Sequence, residues 1–232
     1  MRNAHDALRL LISAGPTREP IDPARFLSNY STGYMGAQLA RQALTRGHRV
    51  TMVCGPVSEP MPARARVIPV EDAHAMARAL RAEAPRADAI LMAAAVSDFR
   101  PARLASMKLR RRARRVLVLE GTPDIIATLP RRTGQVIVGF ALETDHTVAR
   151  AWQKLKAKRL DVLLAQQANG TGSPFGRRRV HAWLLSRDGS TTALGTASKA
   201  RVARVLLDKV EALWYGQRKP DRRRTTIHAA MG

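Results

Sequence analysis

The chain of 232 residues contains a single cysteine, Cys54, which excludes an internal disulfide and fits a reducing cytoplasm. Aromatic residues are scarce: four Phe, three Tyr and three Trp are too few for a base-stacking platform. Acidic residues are outnumbered, since 18 Asp plus Glu face 40 Lys plus Arg and leave a formal charge of +22. Such a surplus invites a nucleic-acid partner, but the arginines are scattered over helical patterns as well as clustered. Anionic small substrates benefit from the same field, so no specific nucleic acid is expected. No run of about 18 apolar residues is long enough to span a membrane, and Met1 to Asp6 is polar with no signal-peptide pattern. The dinucleotide fingerprint G-x-G-x-x-G is missing after the first strand, and the second, Arg49 to Val53, runs into Cys54-Gly55-Pro56 with no carboxylate for a ribose. A nicotinamide-dependent reductase therefore ranks low, as does a basic nucleic-acid-binding module.

What is present is a long connection between an apolar strand, Leu8 to Ala14, and a helical pattern, Gly36 to Arg46. Gly15-Pro16-Thr17-Arg18-Glu19-Pro20 opens it, and Ser28-Asn29-Tyr30-Ser31-Thr32-Gly33 closes it. Small hydroxyl and glycine residues at a strand end and a helix start turn free backbone N–H groups and the positive helix end toward one point, an arrangement suited to an anion. An ordinary strand-helix turn capped by Ser31 or Thr32 accounts for the same pattern.

Strand-like runs recur at Leu8 to Ala14, Arg49 to Val53, Arg66 to Val70, Ala89 to Ala93, Val136 to Phe140 and Asp161 to Ala165. Helical patterns alternate with them: Gly36 to Arg46, Ala73 to Ala84 capped by Asp72, and Thr147 to Lys158. Short strands alternating with helices predict an α/β fold, a Rossmann-like, mostly parallel sheet with helices on both faces. Arg100 to Arg115 breaks the pattern as a basic loop able to close over phosphates. Arg179 to Leu185 and Thr191 to Thr196, joined through Asp188-Gly189, read as a hairpin. With Val116 to Glu120 it is expected to form a small antiparallel unit outside the main sheet. Ser198 to Trp214 forms a last amphipathic helix. One domain is expected over 1–216, followed by a basic tail over 217–232 of disordered composition.

Gly15-Pro16-Thr17-Arg18-Glu19-Pro20-Ile21-Asp22-Pro23, Ser28-Asn29-Tyr30-Ser31-Thr32-Gly33 and Ala93-Ala94-Ala95-Val96-Ser97-Asp98-Phe99 together resemble phosphopantothenoylcysteine synthetase, the phosphopantothenate-cysteine ligase family of coenzyme A synthesis, in its bacterial form. The similarity runs in order and spacing from about Leu10 to Trp214. It implies a ligase that activates the carboxylate of 4'-phosphopantothenate with CTP and Mg²⁺ as an acyl-cytidylate, releasing pyrophosphate, and then passes the acyl group to L-cysteine. It also implies a homodimer built on the small antiparallel unit. The decarboxylase often fused ahead of bacterial members is expected as a separate chain, unless this sequence is an excised piece.

The resemblance implies roles for particular residues. Asn29 would donate its amide to the acyl carbonyl as oxyanion character grows, and Lys108, ten residues after Asp98, would meet the transferred phosphoryl group. Asp98 with Met92, Ala93 and Ala94 would hold the nucleotide, Pro123, Asp124, Ile125, Ile126 and Phe140 its base, and Lys154 and Lys158 its phosphates. Gly15, Ser31, Thr32 and Gly33 would receive an anionic group. Residue by residue, plainer readings stand beside these: Thr122 and Pro123 as helix-start residues, Phe140 as core, and the lysines as a solvated face. Tyr34 stands where many family members carry lysine, and is left out of the site. No metal ligand is legible.

Overall fold

The computed structural model describes residues 7–168 and 174–217. Residues 218–232, which hold nearly all of the basic tail, lie outside that range. Eight strands form one sheet: β1 (Arg9–Ala14), β4 (Arg49–Cys54), β5 (Arg66–Pro69), β6 (Ala89–Met92), β9 (Val136–Glu143), β10 (Val162–Gln167), β11 (Val180–Ser186) and β12 (Thr191–Ala197). Their spatial order is β12-β11-β10-β9-β6-β1-β4-β5, and the six from β10 to β5 run parallel. Both neighbours of a central strand such as β1 are paired and both its faces covered, which is why Leu10, Leu11 and Ile12 are all buried.

Alternation along the strands sorts the core into two faces. Leu10, Ile12, Met52, Leu91, Val138 and Leu164 pack under α1 (Tyr34–Thr45) and α5 (Lys199–Gly216), whose Leu39, Val202, Leu206 and Val210 complete that layer. Leu11, Val53, Ile90 and Met92 pack on the other face under α2 (Ala73–Glu83) and α3 (Ile125–Thr128), while Ile137, Leu163 and Leu185 pack under α4 (Thr147–Ala157). Burying each such Leu or Ile contributes about 1.5–3 kcal/mol.

Local chemistry sets the helix starts that face the site. Gly33 takes φ 82° before α1, and at Gly36 an added Cβ would stand 2.4 Å from Ala14 Cβ, so the glycine lets the helix lie flush on the end of β1. Asp72 caps α2 as expected, its carboxylate accepting from the Ala75 N–H at 2.7 Å. Buried Glu19 accepts from the Ala73 N–H at the same helix start, at 3.0 Å, which docks a small hairpin onto it. That hairpin is β2 (Arg18–Asp22) with β3 (Arg25–Ser28), and a second antiparallel pair joins β7 (Phe99–Pro101) to β8 (Leu119–Gly121).

Three expectations need correcting. The hairpin of β11 and β12 does not stand off the main sheet: β11 pairs antiparallel with β10 and extends it. Val116 to Glu120 does not join that hairpin but supplies β8, whose partner is β7. The cap of α3 is Asp124, accepting from Ala127 N–H at 3.2 Å, and not Thr122, whose hydroxyl donates to Ser97 O. No helix among the described residues is long and apolar enough to cross a membrane.

Candidate active site

A cleft of about 560 Å³ opens across the carboxyl ends of the parallel strands. Ligands of open α/β sheets bind there because the connecting loops diverge and leave a crevice. Its lining includes Asn29, Ser31, Thr32, Met92, Ala93, Ala94, Asp98, Pro123, Asp124, Ile125, Ile126, Phe140, Lys154 and Lys158. Residues separated by more than a hundred positions in sequence are thus brought together. Gly15, Gly33 and Lys108 are not among the lining residues. Gly15 and Gly33 serve the backbone behind the cleft, each at positive φ with Val57 Cγ1 occupying the space a Cβ would need. Lys108 stands exposed on the 102–118 connection. Its neighbour Leu109 donates its N–H to Asp22 at 3.1 Å and accepts from Arg25 at 2.8 Å, which ties that stretch to the β2–β3 turn. The Arg25 guanidinium, helped by the Ala24 and Leu109 N–H groups, holds the Asp22 carboxyl well below the usual range.

The loop after β6 is cross-linked to the one after β1. Ala95 N–H donates to Gly15 O at 2.8 Å, Ser97 N–H to Thr17 Oγ1 at 3.0 Å, and the Asn29 amide to Ala95 O at 2.9 Å. Asn29 is thereby oriented with one amide N–H and its carbonyl oxygen uncommitted among the described residues. The N–H groups of Ala93 and Ala94 are spent on Leu91 O and Ser13 Oγ. The Asp98 side chain is exposed and makes no hydrogen bond or ion pair among the described residues.

Lys154 and Lys158 share a face of α4, as their spacing predicts. Each also has its own carboxylate: Lys154 pairs closely with buried Glu143, and Lys158 lies 3.2 Å from Asp124. Their mutual repulsion is therefore relieved within the protein, without a bound anion between them. Phe140 lies in mid-strand and packs with the α1/α5 face, opposite Ile125.

Among the cleft residues that sequence reasoning did not include are Tyr34, which it left out, and Phe175 and Lys199, which it missed. Arg177 stacks over the Tyr34 ring at 5.5 Å, and Phe175 meets Tyr30 at a ring distance of 6.4 Å. The lysine, 5% exposed, donates to Pro174 O at 2.7 Å and Gly176 O at 2.8 Å. Burial lowers its ammonium to about 8. A signal for it existed. It follows the cap Ser198 at the first position of a helix, where the macrodipole disfavours a cation. The one cysteine, Cys54, is buried, and burial pushes its thiol up to about 11, so it is no nucleophile.

The family described as DNA/pantothenate metabolism flavoprotein C-terminal domain matches residues 6–213. The chain belongs to that family. Among curated relatives, a protein named cysteine/cysteine sulfinic acid decarboxylase, from an unknown prokaryotic organism, is 37% identical over 88% of this chain and 58% of its own length. The coenzyme A biosynthesis bifunctional protein CoaBC of Vibrio vulnificus (strain YJ016) is 37% identical over 88% of this chain and 52% of its own. The chain thus spans little more than half the length of these relatives. Among solved structures, the C-terminal domain of a bifunctional protein CoaBC superposes with a TM-score of 0.77 at 31% identity, covering 93% of this chain and all of that one. A Cab2 mutant in complex with phosphopantothenate-cysteine shares the fold, with a TM-score of 0.70 at 19% identity over 91% of this chain and 88% of its own. This is the family to which the sequence motifs pointed.

Proposed function

We propose that the chain joins 4'-phosphopantothenate to L-cysteine at the expense of CTP, as a ligase of coenzyme A biosynthesis. The observation that carries this reading is the meeting, in one cleft, of Asn29, Asp98, Pro123 to Ile126, Lys154 and Lys158 in a chain of this family. A fold neighbour holding phosphopantothenate-cysteine and relatives named for coenzyme A biosynthesis support the substrate class.

A carboxylate is a poor acyl donor, so it first attacks the α-phosphorus of the nucleotide; the bond to the β-phosphate oxygen breaks and pyrophosphate leaves. The cysteine amine then attacks the acyl carbon and the nucleoside monophosphate leaves. Neither step needs an enzyme nucleophile, and positioning with charge neutralisation supplies the catalysis. In this reading the free carboxylate of Asp98 takes the ribose hydroxyls, and Pro123, Ile125, Ile126 and Phe140 enclose the base. Lys154 and Lys158 lend partly neutralised charge to the phosphates. The spare amide N–H of Asn29 donates to the acyl oxygen as it becomes anionic. Mg²⁺ would neutralise triphosphate charge; of the cleft carboxylates Asp124 is engaged by Lys158, so the ion would bond phosphate oxygens and water more than protein. Lys108 joins the phosphates only through movement of the 102–118 connection or from a second subunit.

The homodimer belongs to the same reading. Because the β11–β12 hairpin lies within the main sheet, we assign the dimer contact instead to the β2–β3 and β7–β8 pairs, whose Phe26, Phe99 and Leu119 are exposed apolar residues. The test is pyrophosphate release on mixing protein, Mg²⁺, CTP or ATP, and phosphopantothenate. Release that requires phosphopantothenate and favours CTP is expected; release without the acid, or none with either nucleotide, contradicts the reading.

A further inference from the structure

A second cavity, of about 390 Å³, opens at the other end of the sheet from the cleft, against the amino ends of β9 and β10 and the turn that follows β11. No residue lines both cavities. Four arginines, Arg131, Arg132, Arg159 and Arg187, line this one, and Asp161 is the one carboxylate among its lining residues. Two of the four are balanced. Arg187 pairs with Asp161 at 2.7 Å, and Arg132 with buried Asp88 at 2.9 Å. Asp161 also accepts from Ile137 N–H at 2.7 Å, and Asp88 is shared with Arg9 at 3.0 Å. Arg131 and Arg159 have no carboxylate within ion-pair distance among the described residues.

Arg131 has a structural task. Its guanidinium donates to Lys158 O and Arg159 O, each at 2.8 Å, and so caps the carbonyl end of α4. That helix end sets roughly half a unit of negative charge against it, so the pair of arginines keeps a surplus of more than one positive charge. Arg159 has no such task. Its side chain is exposed and makes no hydrogen bond or ion pair among the described residues. Yet its backbone takes φ 49°, the left-handed position just past a helix where glycine is favoured. The fold holds an arginine where glycine would sit with less strain.

We propose that this cavity is a second anion site, for a compact, multiply charged phosphate compound of the diphosphate or triphosphate class, with Arg159 and Arg131 as its principal contacts. Planar guanidiniums bond phosphate oxygens in pairs, and the donors that Arg131 does not spend on α4 remain for such a ligand. A surplus of positive charge concentrated on two neighbouring arginines suits a polyanion better than a single carboxylate. The concave shape favours a small ligand over the flat surface of a nucleic-acid duplex. The site stands apart from the cleft and does not depend on the ligase reading.

The test is titration calorimetry of inorganic tripolyphosphate, without Mg²⁺, on the wild type and Arg159→Gly. Glycine suits the left-handed backbone at this position, so the variant keeps the fold and loses only the guanidinium. Arg159→Gly is expected to weaken one tripolyphosphate site per chain about 10- to 100-fold, the range of a charge-assisted hydrogen bond, while any binding in the cleft is kept. Identical isotherms for the two proteins overturn the proposal. Citrate, a polyanion without phosphate, is expected to bind the wild-type site more weakly than tripolyphosphate. Equal binding of both would make the cavity a general anion patch and overturn the phosphate assignment. Arginine ¹⁵Nε resonances of the wild type decide the location without any variant. Those of Arg159 and Arg131 must shift as tripolyphosphate is added, and binding that leaves both unmoved places the ligand elsewhere and overturns the proposal.

Discussion

The two flanks of the cleft solve the problem of holding positive charge in different ways. On the α3/α4 flank, Lys154 and Lys158 are half exposed and each is matched to a carboxylate, Glu143 or Asp124. On the α1/α5 flank, Lys199 is buried and matched to two carbonyl oxygens. A paired, solvated cation costs the fold little and can exchange partners when a ligand comes and goes. A buried cation without a counter-charge destabilises the free protein and binds an anion correspondingly well.

The largest effect that would sharpen this contrast is expected at its boundary. Asn29→Asp should still release pyrophosphate while cysteine amide formation falls by about 10²–10³-fold, the scale of losing one oxyanion donor, so that acyl-nucleotide accumulates and can be trapped by rapid quench. Loss of both half-reactions together would reduce Asn29 to its bond with Ala95 O. Lys108→Gln should abolish pyrophosphate release with the fold intact; near-native rates would show that its exposed position on the 102–118 connection is also its working one.

Next in size is Lys154→Met. Glu143 is buried, and its remaining cation, Arg150, lies 3.8 Å away. Removing the lysine should cost about 1–3 kcal/mol of stability in urea titration, and adding Glu143→Gln should restore most of it. Absence of that recovery would mean the pair is decorative.

Much of this fold was legible because periodicity and burial agree. Leu10 to Ala14, Ala89 to Met92 and Val162 to Ala165 are short apolar runs because both faces of a parallel strand are covered. Asp72 and Ser198 mark helix starts through local capping chemistry. What the sequence could not convey is where a local motif docks. The turn Asp188-Gly189 announces a hairpin, but pairing of β11 with β10 depends on burial of Val180, Ala182 and Leu184 beneath α5. Thr122 and Asp124 are both good caps, and the choice falls to Asp124 because the helix starts at Ile125, the residue after it, which puts its carboxylate within reach of the Ala127 N–H. The motif-bearing residues of the cleft were readable as a set. Lys199 was not read as one of them: its place after the cap Ser198 was a signal, but its burial shows only in the fold.

A smaller effect concerns pH. Burial lowers Lys199 to about 8 from an ordinary 10.5, so between those values the unfolded chain binds more protons than the folded one. The contribution of this group to stability is present above pH 10.5 and is lost as pH falls through 8. Wild-type stability relative to Lys199→Met should therefore rise as pH goes from 8 to 10.5, read from urea midpoints; a flat difference would mean the ammonium is better solvated than its position indicates. Smallest of all, Cys54 should resist alkylation by iodoacetamide at pH 8 until the chain is unfolded, measured by mass spectrometry, and Cys54→Ala should leave turnover unchanged.

In the proposed reading one cleft carries out nucleotide cleavage and then amide formation at the same acyl group. The direct measurement follows radiolabelled cysteine into phosphopantothenoylcysteine while pyrophosphate is counted in the same reaction. The account predicts one amide per pyrophosphate, with both absent when phosphopantothenate is omitted. Pyrophosphate released with no labelled amide at saturating cysteine, or labelled amide formed without nucleotide, would contradict it.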